Sequence, residues 1–347
     1  MKLKKFFALC MATVMAFSVA ACGGSSDSSS DSSSDSSGAE SGAAGGGGAD
    51  VGDVDLDDLT IAYLNVTDSL APWPQYIKED FQAICDDNGW TLIGYDGQGD
   101  VNTQTDEVAS VISDGEADLA VLFAVSSDSG VQYVQDLTDA GIPVITFGSD
   151  VSEDGRSNVK CYVGVDQELL VDLSAEYAIE NEPEGAKYMV LSGFEGQYDY
   201  IARSAETTKV FDEAGFEMLG DINYCGASRS EAADFATTLL NQYGEDMNFI
   251  FCHSDEFALG AMQAVEEAGL TGKVHIYSME TFQETLPYLE DGTISSSVTM
   301  TSQAVADKLG EVIPKVMSGE SVDYDQSIDQ VLVTSDNVSE YDGTLQY

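Results

Sequence analysis

The sequence predicts an α/β fold of two doubly wound parallel-sheet layers in succession. Three observations predict it. From Leu59 onward, short apolar runs alternate with segments whose apolar residues recur at helical spacing. The alternation restarts near Asp166 with no close sequence repeat. About 290 residues follow a low-complexity leader, long for one compact domain and comfortable for two.

In the first series, Thr60–Leu64, Thr91–Tyr95, Leu119–Val125 and Val144–Phe147 read as short, largely buried strands. Between the first two, Ile77, Phe81, Ile84 and Cys85 form one apolar helix stripe, with Pro72 and Pro74 at its entry and Asn88-Gly89 at its stop. Val108, Val111 and Ile112 mark a second helix, and Val131, Val134 and Leu137 a third. Gly141-Ile142-Pro143 then opens the next strand. Repeated β-α units imply a parallel sheet covered on both faces.

The second series has strands at Tyr188–Leu191, Met218–Ile222, Phe249–Cys252 and Val274–Tyr277. Helices are expected around Leu170–Ile179, Ile201–Ala214, Ala232–Tyr243 and Phe257–Ala268. Ser254 or Asp255 can cap the last of these, and Ala258, Gly260 and Ala261 let it approach the sheet closely. A late strand at Ser296–Met300, a helix at Ala304–Met317 and a terminal strand at Val331–Thr334 complete the chain. Periodicity alone does not say which layer they join.

Before the folded part, Lys2, Lys4 and Lys5 precede an apolar run from Phe6 to Val19, ending in Ala20-Ala21-Cys22. This is the layout of a signal peptide over residues 1–21, with an apolar stretch too short to span a bilayer comfortably. It resembles a bacterial lipoprotein signal, which implies cleavage before Cys22 and acylation of its thiol. Residues 22–57, rich in Ser, Gly and Asp, cannot bury apolar surface and read as a disordered linker with a reach of roughly 30 Å. The expected location is the extracellular face of a cell membrane.

Formal charge is −49, from 13 basic and 62 acidic residues. Loss of Lys2, Lys4 and Lys5 with the leader leaves 10 basic residues against 62 acidic, or −52. Such a surface repels phosphate backbones, so nucleic acid is excluded as a partner. Cys85, Cys161, Cys225 and Cys252 are widely spaced in apolar stretches without a CxxC pair, which favours buried thiols over a disulfide framework. With His253 and His275 the only histidines, no metal site and no cofactor are expected. No GxSxG, HExxH or P-loop is present, so no catalytic residues are assigned and the chain is not expected to be an enzyme.

The segment from Phe249 through His253-Ser254-Asp255-Glu256 to Met262 carries a further signal. It resembles the strand–turn–helix of the type I periplasmic sugar-binding proteins, the ribose-binding group in particular. Gly141–Phe147, Val163–Asp166 and Glu290-Asp291-Gly292-Thr293-Ile294 match in the same order. The similarity runs from about Asp58 to Thr334. It implies two lobes joined by a three-crossing hinge: residues 58–165 with 301–327, and residues 166–300 with 328–347.

The resemblance also implies a pocket between the lobes. Trp73 stands where the family places a stacking aromatic, a core tryptophan being the alternative. Arg203 matches an arginine that binds ligand hydroxyls; a surface salt bridge is its alternative. Glu280 replaces an aspartate at a strand end, and Asp255 matches an adjacent aspartate that is structural as much as ligand-facing. Ser254 stands in place of an asparagine, Gly148-Ser149 in place of an Asp-Arg pair with Asp150 next to it, and Met300 in place of a glutamine. These departures make the pocket less hydrophilic than one built for a pentose.

The implied function is capture of a small neutral ligand, most readily a sugar, by a monomer that delivers it to an ABC permease. A ligand-sensing receptor of the same fold, signalling to a membrane kinase or chemoreceptor, is the alternative. Other aldoses, aryl-bearing sugars, sugar alcohols and nucleosides stay open as ligands.

Overall fold

The computed structural model describes residues 55–341. The expected signal peptide, Cys22 and all but the last residues of the linker lie outside the described residues.

Nine α-helices and thirteen strands follow one another among the described residues. The first series comprises β1 (Thr60–Asn65), α1 (Pro72–Asn88), β2 (Thr91–Asp96), α2 (Val101–Asp114), β3 (Leu119–Leu122), α3 (Ser127–Asp139), β4 (Val144–Phe147) and β5 (Tyr162–Gly164). The second comprises α4 (Gln167–Asn181), β6 (Lys187–Ser192), α5 (Tyr198–Glu213), β7 (Glu217–Met218), β8 (Asn223–Tyr224), α6 (Arg229–Tyr243), β9 (Phe249–Cys252), α7 (Asp255–Glu267), β10 (His275–Tyr277) and α8 (Leu286–Glu290). β11 (Ser297–Val298), α9 (Ser302–Met317), β12 (Asp325–Ser327) and β13 (Leu332–Val333) close the described chain.

Local chemistry explains the ends. α1 carries Pro in its first turn, where a missing N–H costs nothing, and stops at Gly89 in the left-handed region at φ 78°. Asp100, Asp166 and Ser228 cap α2, α4 and α6 by accepting from backbone N–H groups. The single strand expected at Met218–Ile222 is instead β7 and β8, because Gly220 turns the chain at φ 79° between them.

Strands in the first sheet run in the order β12-β5-β4-β3-β1-β2, all parallel. The second runs β10-β9-β6-β7, with β8 also pairing β6. A parallel bridge from Tyr277 to Ser296 places the chain entering β11 beyond β10. Both sheets therefore wind outward from a reversal point, between β1 and β3 in the first and between β6 and β9 in the second. In open α/β sheets the crevice at the carboxyl ends of such strands is where ligands bind.

The late elements divide between the layers. α9 packs along α1, and β12 pairs β5 in the first sheet, while β13 pairs β11 antiparallel beside the second. Aliphatic and aromatic side chains fill both interiors. Tyr188 stacks on Phe249 in the second sheet and Tyr63 tilts against Phe147 in the first. All four cysteines among the described residues are buried thiols, and burial pushes Cys85, Cys161 and Cys225 each up to about 12.

Gly260 corrects one expectation. The helix pair it closes is α6·α7, not α7 against the sheet: a Cβ there would meet the Arg229 carbonyl oxygen at 2.4 Å and the Ala233 nitrogen at 3.0 Å. Gly260→Ala is therefore expected to destabilise by about 1–3 kcal/mol through overpacking against backbone that cannot rotate away. Urea unfolding checks it; an unchanged midpoint would mean that α6 moves aside freely.

Candidate functional site

The carboxyl ends of the two sheets face one another across a cavity of about 530 Å³, counted with the space open to solvent. Its walls come from the places where the reversal points predict them. Val66 and Thr67 follow β1, Phe123 follows β3, Phe194 follows β6, Ser254 follows β9, and Glu280 follows β10.

Trp73, the second residue of α1, puts its indole on the wall while its Nε1 donates to the Met300 carbonyl at 2.7 Å. Phe123 meets it edge-on with centroids 6.1 Å apart. The indole is thus both wall and tie, fixed in orientation by a hydrogen bond and by an aromatic neighbour. It is buried within the hydrophobic core cluster as well as lining the cavity.

Arg203, on α5, is the most deeply buried cation among the described residues at 1% exposure. Its Nε donates to Gln167 Oε1 at 2.8 Å, Nη1 to the His253 carbonyl at 2.8 Å, and Nη2 to the Met300 sulfur at 3.6 Å. Asp199, one turn before it, lies 4.0 Å from Nη2. The guanidinium therefore ties the start of α4, the end of β9 and the segment before α9 to one point, and its edge lines the cavity. A surface salt bridge is ruled out by its burial.

Glu280 has φ 101° and Thr281 φ 58°, two successive non-glycine residues in positive φ. Strain of this kind persists only where surrounding structure enforces it, and it gathers at ligand sites. Here the Glu280 N–H donates to the Val298 carbonyl and the Met300 N–H to the Glu280 carbonyl, which lock the strand exit. Ser254 Oγ donates to Glu280 Oε2 at 2.5 Å and accepts from the Glu256 N–H, so it caps α7 and orients the carboxylate together. Burial pushes Glu280 up to about 8, against the opposing pull of Arg203 and Ser254.

Four of the expected residues lie behind the wall. Asp255 is fully buried; it accepts from the Phe282 N–H and from the hydroxyls of Thr285 and Ser297, so it positions Phe282, which does line the cavity. Asp150 is turned away toward Arg156 at 3.0 Å, Thr146 and Tyr324. Ser149 accepts from the Asp199 N–H at 3.4 Å, and Met300 offers its carbonyl and sulfur to Trp73 and Arg203. Gly148, at φ 69°, bends the chain after β4 just ahead of Ser149 and Asp150.

The cavity also has walls that the pattern did not single out. Phe194, Gln197, Phe257 and Phe282 line it with Asp199 and Tyr200. Phe123 was absorbed into an expected strand over Leu119–Val125, but the strand ends at Leu122. Its position just past a strand end was the usable signal. Gln197 Oε1 and Asp199 Oδ1 are buried without a hydrogen-bond partner. Burial raises Asp199 above the usual carboxylate range, with Arg203 and Ser149 opposing.

The two layers touch at the cavity rim. The Ser127 N–H donates to the Gly196 carbonyl at 3.1 Å, and Arg156 Nη2 to the Tyr198 hydroxyl at 2.7 Å. Among the described residues no group of three or more His, Cys, Asp or Glu side chains is arranged to hold a metal.

A family model for the periplasmic binding protein domain matches residues 61–321. The fructose import binding protein of Bifidobacterium longum is 26% identical over 260 residues, covering 72% of this chain and 79% of the relative. A ribose import binding protein of Salmonella typhimurium is 25% identical over 267 residues, covering 74% and 84%. Among solved structures, a galactofuranose binding protein aligns with TM-score 0.76 at 20% identity, over 83% of this chain and all of that one. An ABC transporter solute binding protein from Bacillus halodurans with bound myo-inositol aligns with TM-score 0.74 at 23% identity, over 84% and 99%. At these identities the structures share the fold.

Proposed function

Given that this chain belongs to the periplasmic binding protein domain family, whose members are solute-binding transport proteins and not enzymes, we propose that it captures a sugar and delivers it to an ABC importer. One observation carries the reading. A single cavity lies where the carboxyl ends of both sheets converge, with Trp73 and Phe123 on one side and Arg203, Ser254 and Glu280 on the other. Rings suit the C–H faces of a sugar, and buried polar groups suit its hydroxyls.

The lobes are residues 58–165 with 301–327, and 166–300 with 328–347, hinged at three crossings. Ligand contacts made on both sides stabilise the closed form, because only that form makes them all. The permease then recognises the closed spacing of the two rims. The protein acts as a monomer tethered to the extracellular face by a lipid on Cys22, and the linker gives it reach.

The test is a thermal-shift screen of residues 55–347 against monosaccharides, polyols, nucleosides and amino acids. A ligand at 100 times its Kd adds about 2.7 kcal/mol of stability, a readily seen shift. A hit among sugars or sugar derivatives is the expected result. Hits confined to amino acids or nucleobases would remove the substrate class and leave the fold.

A further inference from the structure

The buried charges of the cavity do not balance. Asp199 is 3% exposed, Glu280 6% and Arg203 1%, so two carboxylates face one guanidinium. Among the described residues Arg203 is the one cation on the cavity wall. Arg229, the arginine next to Ala227 and Ser228 at the rim, is committed by four hydrogen bonds to Glu256 and Glu284. Glu256 itself lines the cavity, so the rim adds no positive charge.

The unmet hydrogen-bonding groups have the same sign. Gln197 Oε1 and Asp199 Oδ1 are acceptors without partners, on side chains 2% and 3% exposed. Of the donors near them, Trp73 Nε1 is held by the Met300 carbonyl, and each nitrogen of Arg203 makes one bond, to Gln167, His253 or Met300, with Nη2 lying 4.0 Å from Asp199 Oδ2 rather than from the orphaned Oδ1. Aromatic rings supply much of the remaining wall, Phe194, Tyr200, Phe257 and Phe282 from the second sheet's side. Ring faces attract a cation, and of these four only Tyr200 carries a donor of its own.

We propose that the ligand carries a protonated amine, and that Asp199 and Gln197 receive it opposite Arg203. This rests on the sugar reading above and narrows it to amine-bearing sugars, the aminodeoxy class. The ammonium supplies the missing positive charge and donors for the two orphaned oxygens, while the sugar's C–H face lies against Trp73. Without ligand the missing charge is a proton: burial pushes Glu280 up to about 8. A neutral hexose can satisfy the acceptors with hydroxyls but leaves the charge balance to that proton, which an ammonium replaces.

Isothermal titration of residues 55–347 tests it with D-glucosamine, D-galactosamine, D-mannosamine and 1-amino-1-deoxy-D-fructose, each beside its neutral parent hexose, and with choline as a cation that is no sugar. The expected result is at least one amine-bearing sugar binding tenfold or more tighter than its parent, with Asp199→Asn lowering that affinity at least tenfold. Neutral parents binding as tightly as their amines would overturn the proposal and leave the sugar reading standing. Choline binding with every sugar silent would keep the amine and remove the sugar. Absence of binding by every amine overturns the proposal outright.

Discussion

Replacing Arg203 with alanine is expected to abolish ligand binding and to lower unfolding free energy by about 3–5 kcal/mol, the cost of breaking a buried charge pair from one side. The guanidinium satisfies Gln167, the His253 carbonyl and the Met300 sulfur at once, and it faces Asp199 at 4.0 Å. Its removal leaves Asp199 and Glu280 buried with no counter-charge and frees the start of α4 from the end of β9. Urea unfolding, with and without the ligand found by thermal shift, separates the two losses. Arg203→Lys should recover little, because one ammonium cannot reach three partners in different directions. A stable Arg203→Ala protein that still binds would mean that the cavity is not organised around this residue.

The second large effect is expected at Glu280, as a change in how stability depends on pH. Its carboxyl moves from an ordinary 4.5 to about 8 in the folded chain because burial disfavours the ion. A raised pKa means that the folded state binds the proton more tightly than the unfolded one. The associated stability is therefore complete below pH 4.5 and is lost as pH rises through about 8. At about 1.36 kcal/mol per pH unit, the loss is on the order of 5 kcal/mol. Glu280→Gln keeps the shape of the neutral acid and cannot ionise. Ligand-free wild type and variant should match near pH 4.5 and diverge in the variant's favour toward pH 9. Parallel curves over that range would show that Glu280 does not carry the titration.

Both predictions concern residues whose identities were readable long before their surroundings were. Arg203 is one of three arginines in the chain, and Glu280 ends a strand whose pattern is plain. Their roles were not readable in the same way. Ser149, Asp150, Asp255 and Met300 hold comparable places along the chain, yet their side chains meet Asp199, Arg156, Thr285 and Arg203. Which way a side chain leaves a strand end depends on the backbone there, and the positive φ of Gly148 and Glu280 cannot be derived from periodicity. Gln197 and Phe194 escaped notice for the converse reason: a glutamine or a phenylalanine in a loop has no pattern until the fold gives it a neighbour.

The sequence by itself determined the alternation of strands and helices, their approximate ends, the restart near Asp166 and the large surplus of negative charge. Those properties are local or additive. Apolar spacing, caps, turn residues and summed charge act over a few residues or over the whole surface. Only the tertiary structure decided that Trp73 and Met300, 227 residues apart, share a hydrogen bond, and that Arg203 sits beside two carboxylates from different elements. It also decided that the late helix covers α1 while the last strand pairs beside the second sheet. Such choices depend on which distant surfaces bury one another and on the dielectric that burial creates, and neither quantity is carried by any single stretch of the chain.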